Sequence, residues 1–273
     1  MIRKKYFSTS QEFLKANAKI IDKNYFAFYS SLMNMLSSKQ LFQLWGIYDY
    51  GQATAYCMWF DKNIVVHSFG WTDETLEAIE GDVDFPTLSG YTLSGQRIVI
   101  TDLLEYNDVP YEVIKDRIVY SIESVSPQAF QNQQIQKAVL EDKSEIAEMS
   151  YQYYMEEYQS KGPRTAEYFH DITKSGIKNG NIYKLTIDGN ICSIAQVMSE
   201  EKFFPLIGQF FTKSRFRGKG YGYSLLTQLS SHLLAKGHSK VGLLADRANP
   251  MTIKIFERVG YVPVYDHLSV LIK

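Results

Sequence analysis

Residues 217–222 read Arg217-Gly218-Lys219-Gly220-Tyr221-Gly222, three glycines at alternate positions between an apolar run and an amphipathic one. Glycine has no Cβ, so such a stretch can take left-handed or crowded backbone conformations and aim successive N–H groups at one anion. Immediately downstream, Tyr221, Leu225, Leu229 and Leu233 recur every fourth residue, with Leu226 and Leu234 widening the stripe. That spacing predicts a helix over 220–236, stopped by Gly237. The helix would add its unpaired N-terminal donors and the positive end of its dipole. The combination reads as a pyrophosphate cradle, whereas a charged surface turn would explain the glycines alone and not their flanks. A nucleoside-triphosphate loop needs Gly-Lys-Ser/Thr, but Gly220 follows Lys219 and no Ser or Thr appears before Ser224. A dinucleotide fingerprint from Gly218 needs glycine at 223, where Tyr223 stands. Both of those patterns fail.

Outward from the loop, 203–212 is almost wholly apolar and predicts a strand buried on both faces. Beyond the helix, 240–245 predicts another strand, and Asn249-Pro250 opens a helix that ends at Gly260, with a capping Asn before a proline at its first position. Two short strands are expected to finish the chain. Upstream, 144–159 and 165–178 read as helices, and 181–187 turns through Asp188-Gly189-Asn190 into 191–198 as a hairpin. The polar, amide-rich stretch 121–136 marks a domain boundary. Before it lie two helices in the first 35 residues (Phe13, Leu14, Ala18, Ile21, then Phe26, Phe28, Leu32, Met35), a hairpin turning at 49–52, a strand at 63–69 and a helix at 72–79 capped by Thr72. Helices followed by a Gly-centred hairpin thus occur in both halves, a hint of duplication that no residue-level repeat supports.

The motifs resemble the GNAT superfamily of N-acetyltransferases, whose cofactor loop reads Arg or Gln, two residues, Gly, one residue, Gly or Ala; Arg217, Gly220 and Gly222 meet it. A second signature, Asn followed by a helix with an aromatic near its end and then Gly-Phe/Tyr, is met by 249–261. The stretch 210–264 resembles the branch with a glycine-N-acyltransferase-like C-terminal domain behind a degenerate N-terminal one. This implies an α/β (α+β) fold of two GNAT-like domains, 1–128 (degenerate) and 129–273 (binding acetyl-CoA), each a mixed, largely antiparallel sheet flanked by helices. The resemblance further implies that the backbone of Phe210, Phe211 and Thr212 pairs with the pantetheine arm. It gives the pyrophosphate to Arg217, Gly218, Lys219, Gly220, Tyr221 and Gly222, and places Asn249 and Phe256 beside the arm and the thioester. As a structural alternative, Asn249 suffices as a helix cap and Phe256 as a core residue.

In that family the acyl group passes directly from sulfur to a neutral amine. A tyrosine often protonates the departing thiolate where Phe256 stands here, and phenylalanine cannot donate. Tyr221, Tyr223, Tyr261, Tyr265 or water are the substitutes, and Asp246, Glu156 and Glu157 are candidate bases, although surface carboxylates are commoner. The catalytic candidates are therefore Asp246, Tyr221 and Glu157. Tyr151, Tyr153, Tyr154 and Tyr158 crowd the helix that would border the acceptor site. The expected function is acetyl transfer from acetyl-CoA to the amine of a small molecule or amino acid. A catalytically silent coenzyme A-binding module and a longer-chain acyltransferase are the alternatives.

Composition bounds these readings. The 273 residues carry 29 Lys and Arg against 30 Asp and Glu, so no polyanion-binding surface is expected and nucleic acid is not a partner. Hydrophobic residues at 45% are enough for proper cores. No apolar h-region follows the basic start and no apolar run is of membrane-spanning length, which makes the cytoplasm the expected compartment. Cys57 and Cys192 lack partners at metal-ligand spacing, so they are expected to be reduced and structural, and no metal is expected. A homodimer is compatible with the sequence.

Overall fold

A computed structural model describes residues 1–36, 41–126, 134–158, 163–198 and 204–273. Short 3-10 turns aside, the chain runs β1 (Ile2–Tyr6), α1 (Ser10–Lys23), α2 (Tyr25–Leu36), β2 (Leu41–Asp49), β3 (Gln52–Phe60), β4 (Asn63–Ser68), α3 (Asp73–Glu80), β5 (Thr92–Gln96), α4 (Arg97–Tyr106) and β6 (Tyr111–Ile122). It continues β7 (Gln136–Lys137), α5 (Lys143–Glu157), α6 (Ala166–Lys178), β8 (Ile182–Ile187), β9 (Asn190–Val197), β10 (Leu206–Thr212), α7 (Tyr221–Ala235), β11 (Val241–Asp246), α8 (Pro250–Val259) and β12 (Val262–Ile272). Both series follow the order β-α-α-β-β-β-α-β-α-β. The repetition hinted at by the helices and hairpins therefore extends over ten elements, without a matching repeat of residues.

The chain forms two compact units, Met1–Val119 with Val264–Lys273, and Tyr120–Pro263. In the first, β1 to β5 lie side by side in sequence order with β12 beyond β5. Only the β4–β5 pair among these is parallel. Its core includes Trp45, Ile47, Ile64, Val66 and Leu93, together with Leu268, Val270 and Ile272 from the chain's end. The sequence puts the domain boundary at 128/129, which lies outside the described residues. It also leaves 264–273 with the second half, whereas the unit division gives this segment to the first. The physical reason is the β5–β12 ladder, His267↔Gln96 through Leu271↔Thr92. The tail is moreover one strand, β12, and not two.

The second unit orders its strands β11-β10-β9-β8-β7, antiparallel except for β10 and β11. The hairpin of β8 and β9 closes where Asp188 and Gly189 take left-handed conformations, φ 48° and 74°. Ile146 and Met149 of α5, Ile177 of α6 and Ile194 and Phe211 of the sheet share one buried cluster. Leu225, Leu226, Leu229 and Leu233 bury the face of α7 that their spacing predicted. The fold class is thus mixed α/β, with mostly antiparallel strands and eight α-helices among the described residues.

Two strand expectations change on the structure. Phe203 lies outside the described residues and β10 begins at Leu206, while Gly208, Gln209 and Phe210 are only half-buried. A bulge at this point takes the middle of the strand out of the two-sided burial that its apolar sequence suggested. The strands β1, β5 and β6 and the helix α4 had no reading in the sequence; β5, Thr-Leu-Ser-Gly-Gln, is short and carries little apolar signal.

Candidate functional site

The site is built at the junction of β10, the glycine loop and α7, all within the second unit. The parallel pairing of β10 with β11 takes in Leu206↔Gly242 and Ile207↔Leu243. On its other edge β10 pairs Gly208↔Gln196 and Phe211↔Ile194, so Gln209 and Phe210 stand where β9 has only Ala195. Gln209 accordingly has φ 47°. Ser193 Oγ donates to the Phe211 carbonyl at 3.0 Å, which fixes the strand again beyond the bulge.

From Thr212 the chain makes a short 3-10 turn at Ser214–Phe216 and enters the loop. Gly218 and Gly220 have φ of 76° and 81°, and a Cβ at either would project into open space. Gly220 is the N-cap of α7, and no side-chain cap closes that end. Gly222 serves a different purpose: a Cβ there would meet Thr212 Oγ1 at 2.9 Å and Phe210 Cζ at 3.1 Å. Glycine therefore gives an open, left-handed backbone at two positions and close helix-to-strand packing at a third.

Two carboxylates of α5 hold this loop. Lys213 forms an ion pair with Glu145. The Arg217 guanidinium donates through Nε to the Thr212 carbonyl at 2.9 Å and through Nη2 to both Glu156 oxygens at 2.9 Å, and it lies 5.2 Å from the Phe211 ring centre. The sequence grouped Arg217 with the loop and Glu156 with candidate bases, and the structure brings them together. Lys219 stays on the loop, with its ammonium 5.9 Å from the Phe216 ring.

Asn249 caps α8, its Oδ1 accepting from Thr252 N at 3.1 Å, and the Asp246 carboxylate accepts from Ala248 N at 2.9 Å. Both side chains thus shape the turn between β11 and α8. Phe256 is buried and has Phe210, Tyr120 and Tyr261 around it, with ring centres 5.9, 6.0 and 6.1 Å away. Tyr120 is a member of this cluster that sequence reading missed, because β6 was not recognised. Of the candidate phenols, Tyr261 shares a 2.7 Å hydrogen bond with Ser230, and burial pushes its pKa well up. Tyr223 is buried with Arg258 over its ring, and Tyr221 is half-buried on the first turn of α7, with its ring 6.1 Å from Phe216. Tyr265 belongs to the first unit, where its hydroxyl lies 3.4 Å from His67 Nδ1. Glu157 sits at the last position of α5.

The aromatic residues of α5 continue onto α6. Tyr154 has its ring 4.7 Å from Tyr158 and 5.1 Å from Phe169, and its hydroxyl accepts from Arg164 N at 3.1 Å. The Arg164 guanidinium lies 4.7 Å from the Tyr168 ring centre. No group of three or more metal-ligating side chains occurs among the described residues.

Residues 143–261 match the Acetyltransferase (GNAT) family. This GNAT segment contains α5 through α8 and every loop residue discussed above. No curated protein sequence matches the chain.

Solved structures extend the likeness of fold beyond the GNAT segment. A GCN5-related N-acetyltransferase from Sphaerobacter thermophilus superposes with a TM-score of 0.61 at 15% identity, covering 98% of this chain and 94% of that one. A GNAT-family acetyltransferase from Colwellia psychrerythraea gives 0.60 at 10% identity, covering 99% and 100%. A Drosophila protein gives 0.58 at 14% identity, with 98% of each chain covered. At such identities the likeness is one of fold, and it takes in both series of elements.

Proposed function

We propose that this chain is an N-acetyltransferase that moves the acetyl group of acetyl-CoA to the amine of a small molecule or amino acid in the cytoplasm, with 129–273 as the donor-binding part. The observation that carries the reading is the pair of left-handed glycines, Gly218 and Gly220, opening into free space at the uncapped start of α7. A diphosphate fits such a cradle because backbone N–H groups and the helix dipole favour an anion there without a Cβ in the way. Acetyl-CoA supplies the thioester whose acetyl group is transferred.

The chain's own residues then have distinct tasks. Residues 217–222 hold the diphosphate, Arg217 and Lys219 adding charge. The backbone of Phe210, Phe211 and Thr212 offers amide groups to the pantetheine arm. Asn249 and Phe256 border that arm. Positioning is the main contribution in a direct transfer, since a neutral amine held in line needs no covalent enzyme intermediate. The amine proton goes to a carboxylate or ordered water, with Asp246 and Glu157 as the candidates. Tyr221 is the candidate donor to the departing sulfur. A small or aromatic amine suits the aromatic residues of α5 and α6, which include Tyr151, Tyr154 and Phe169.

A second reading, a silent coenzyme A-binding module, draws on one observation: Phe256 is enclosed by aromatic rings and carries no hydroxyl. Free-thiol release from acetyl-CoA against a panel of amines, beside calorimetric titration with coenzyme A, separates the two. Binding with turnover supports the transferase; binding with no turnover on any amine favours the silent module; no binding overturns both. Running propionyl and benzoyl donors in the same assay tests acyl-chain preference, and an acetyl preference under about tenfold counts against acetyl transfer.

A further inference from the structure

Along α5 and the residue before it, cations meet carboxylates: Lys184 pairs with Asp142, Lys213 with Glu145 and Arg217 with Glu156. Arg164 differs. It stands just before Thr165, the N-cap of α6, and its backbone N–H donates to the hydroxyl of buried Tyr154 at 3.1 Å. That bond fixes its main chain against α5, and its guanidinium lies 4.7 Å from the Tyr168 ring centre and 5.9 Å from that of Tyr154. Among the described residues no carboxylate pairs with it. Contact with the rings holds the charge in place but satisfies none of the five N–H donors, whose planar fork is matched by a carboxylate.

The surroundings suit an organic anion better than an inorganic one. Tyr158 and Tyr168 are 37% and 38% exposed, and the Tyr158 ring lies 4.7 Å from that of Tyr154, so accessible aromatic surface adjoins the tyrosine to which Arg164 is tied. The same end of α5 carries Glu156, which holds Arg217 of the glycine loop. We propose that Arg164 is a specificity-determining residue that receives the carboxylate of the acceptor, which makes the acceptor a free amino acid and not a simple amine. The inference rests on the transferase reading above and narrows its acceptor class.

Pairs of acceptors that differ only in the carboxylate test it: phenylalanine against phenethylamine, tyrosine against tyramine, tryptophan against tryptamine, and alanine against ethylamine. Each is assayed by thiol release from acetyl-CoA with the wild type, Arg164→Gln and Arg164→Lys, and titrated calorimetrically onto the coenzyme A-loaded protein. The two members of a pair differ in basicity, so the readout is the change in their ratio between proteins, from which that difference cancels. Arg164→Gln is expected to lower kcat/KM for the amino acids by about tenfold to hundredfold, chiefly through KM, while the decarboxylated partners stay within about twofold. Arg164→Lys should recover only part of the loss, because an ammonium carries the charge without the fork. Melting temperature and coenzyme A affinity should be unchanged in both variants. Three results overturn the proposal: amino acids and amines falling together in Arg164→Gln, amino acids unaffected by it, or no amino acid of the panel bound or turned over by a wild type that binds coenzyme A. Each of these leaves the donor-binding reading standing, whereas failure of the wild type to bind coenzyme A sinks that reading and this inference with it.

Discussion

Arg217 and Glu156 form a two-point ion pair, one guanidinium nitrogen lying 2.9 Å from each carboxylate oxygen, while the same side chain reaches the Thr212 carbonyl. Both side chains are about half exposed, at 44% and 54%, so the pair is screened and contributes modestly, ~0.2–1 kcal/mol. On the donor-binding reading proposed above, a diphosphate on the loop would compete with Glu156 for that guanidinium. Glu156→Gln should therefore tighten coenzyme A binding by about twofold to fivefold at low salt, with the difference shrinking as salt screens the pair. Calorimetry at two salt concentrations reads this out, and weaker binding by the variant would mean that Glu156 organises Arg217 instead.

Gly220 has φ 81° and an open Cβ direction, so Gly220→Val strains the backbone without a steric clash in the core. We expect a stability loss of ~1–2 kcal/mol and a loss of coenzyme A affinity of about tenfold or more, with cooperative melting retained. Unchanged affinity would remove the loop from donor binding.

The corresponding junction of the first unit, between β4 and α3, is built differently. The side chain of Thr72 caps α3 by accepting from Thr75 N, and Asp73 and Glu74 stand in its first turn. An occupied cap and two acidic residues disfavour an anion there. Titration should give one donor molecule per chain, and Gly220→Val should abolish that event without uncovering another; a second site surviving in the variant would contradict this.

Phe256→Tyr restores a phenol at a buried position ringed by Phe210, Tyr120 and Tyr261. If a missing proton donor limits turnover, kcat should rise by about tenfold, and any basic limb should lie above the ordinary phenol value of ~10, because burial raises a phenol's pKa as it does at Tyr261. A lower kcat with an unaltered pH profile would show that the hydroxyl does not face the departing sulfur.

His67 in the first unit is fully buried, its Nε2 3.0 Å from Ser31 Oγ, and burial pushes its pKa down to about 3, with His267 reinforcing the shift. Burial likewise pushes His267 down to about 4. Both imidazoles are neutral in the folded chain at neutral pH, and the unfolded chain takes up protons near the ordinary value of 6.5. Stability should thus be complete above pH 6.5 and fall as pH drops toward 4 and then 3, because only the unfolded state gains protons across that window. Urea midpoints between pH 7.5 and pH 4.5 should decline less in His267→Gln than in the wild type; parallel slopes would refute the assignment.

The amino-acid sequence by itself determined the local features of this protein. Turns that require left-handed backbone, at Gly51, Asp188-Gly189 and Gly260, are written in residues that tolerate it. Helix starts at Thr72, Thr165 and Asn249 are written in side chains that cap their own backbone, and the apolar stripe of α7 in its four-residue spacing. These signals are legible because cause and effect lie within a few residues of one another. The glycine loop was legible for the same reason.

Only the tertiary structure decided the pairing of β12 with β5, the enclosure of Phe256 by Tyr120, the contact of Arg217 with Glu156, and the bulge in β10. Each joins residues far apart in the chain, and such contacts depend on which surfaces remain to be covered after the local elements form. Gln209 has an ordinary residue's local preferences and no turn signal beside it. Its left-handed conformation accompanies the bulge in the β9–β10 ladder, where two residues of one strand stand opposite one of the other.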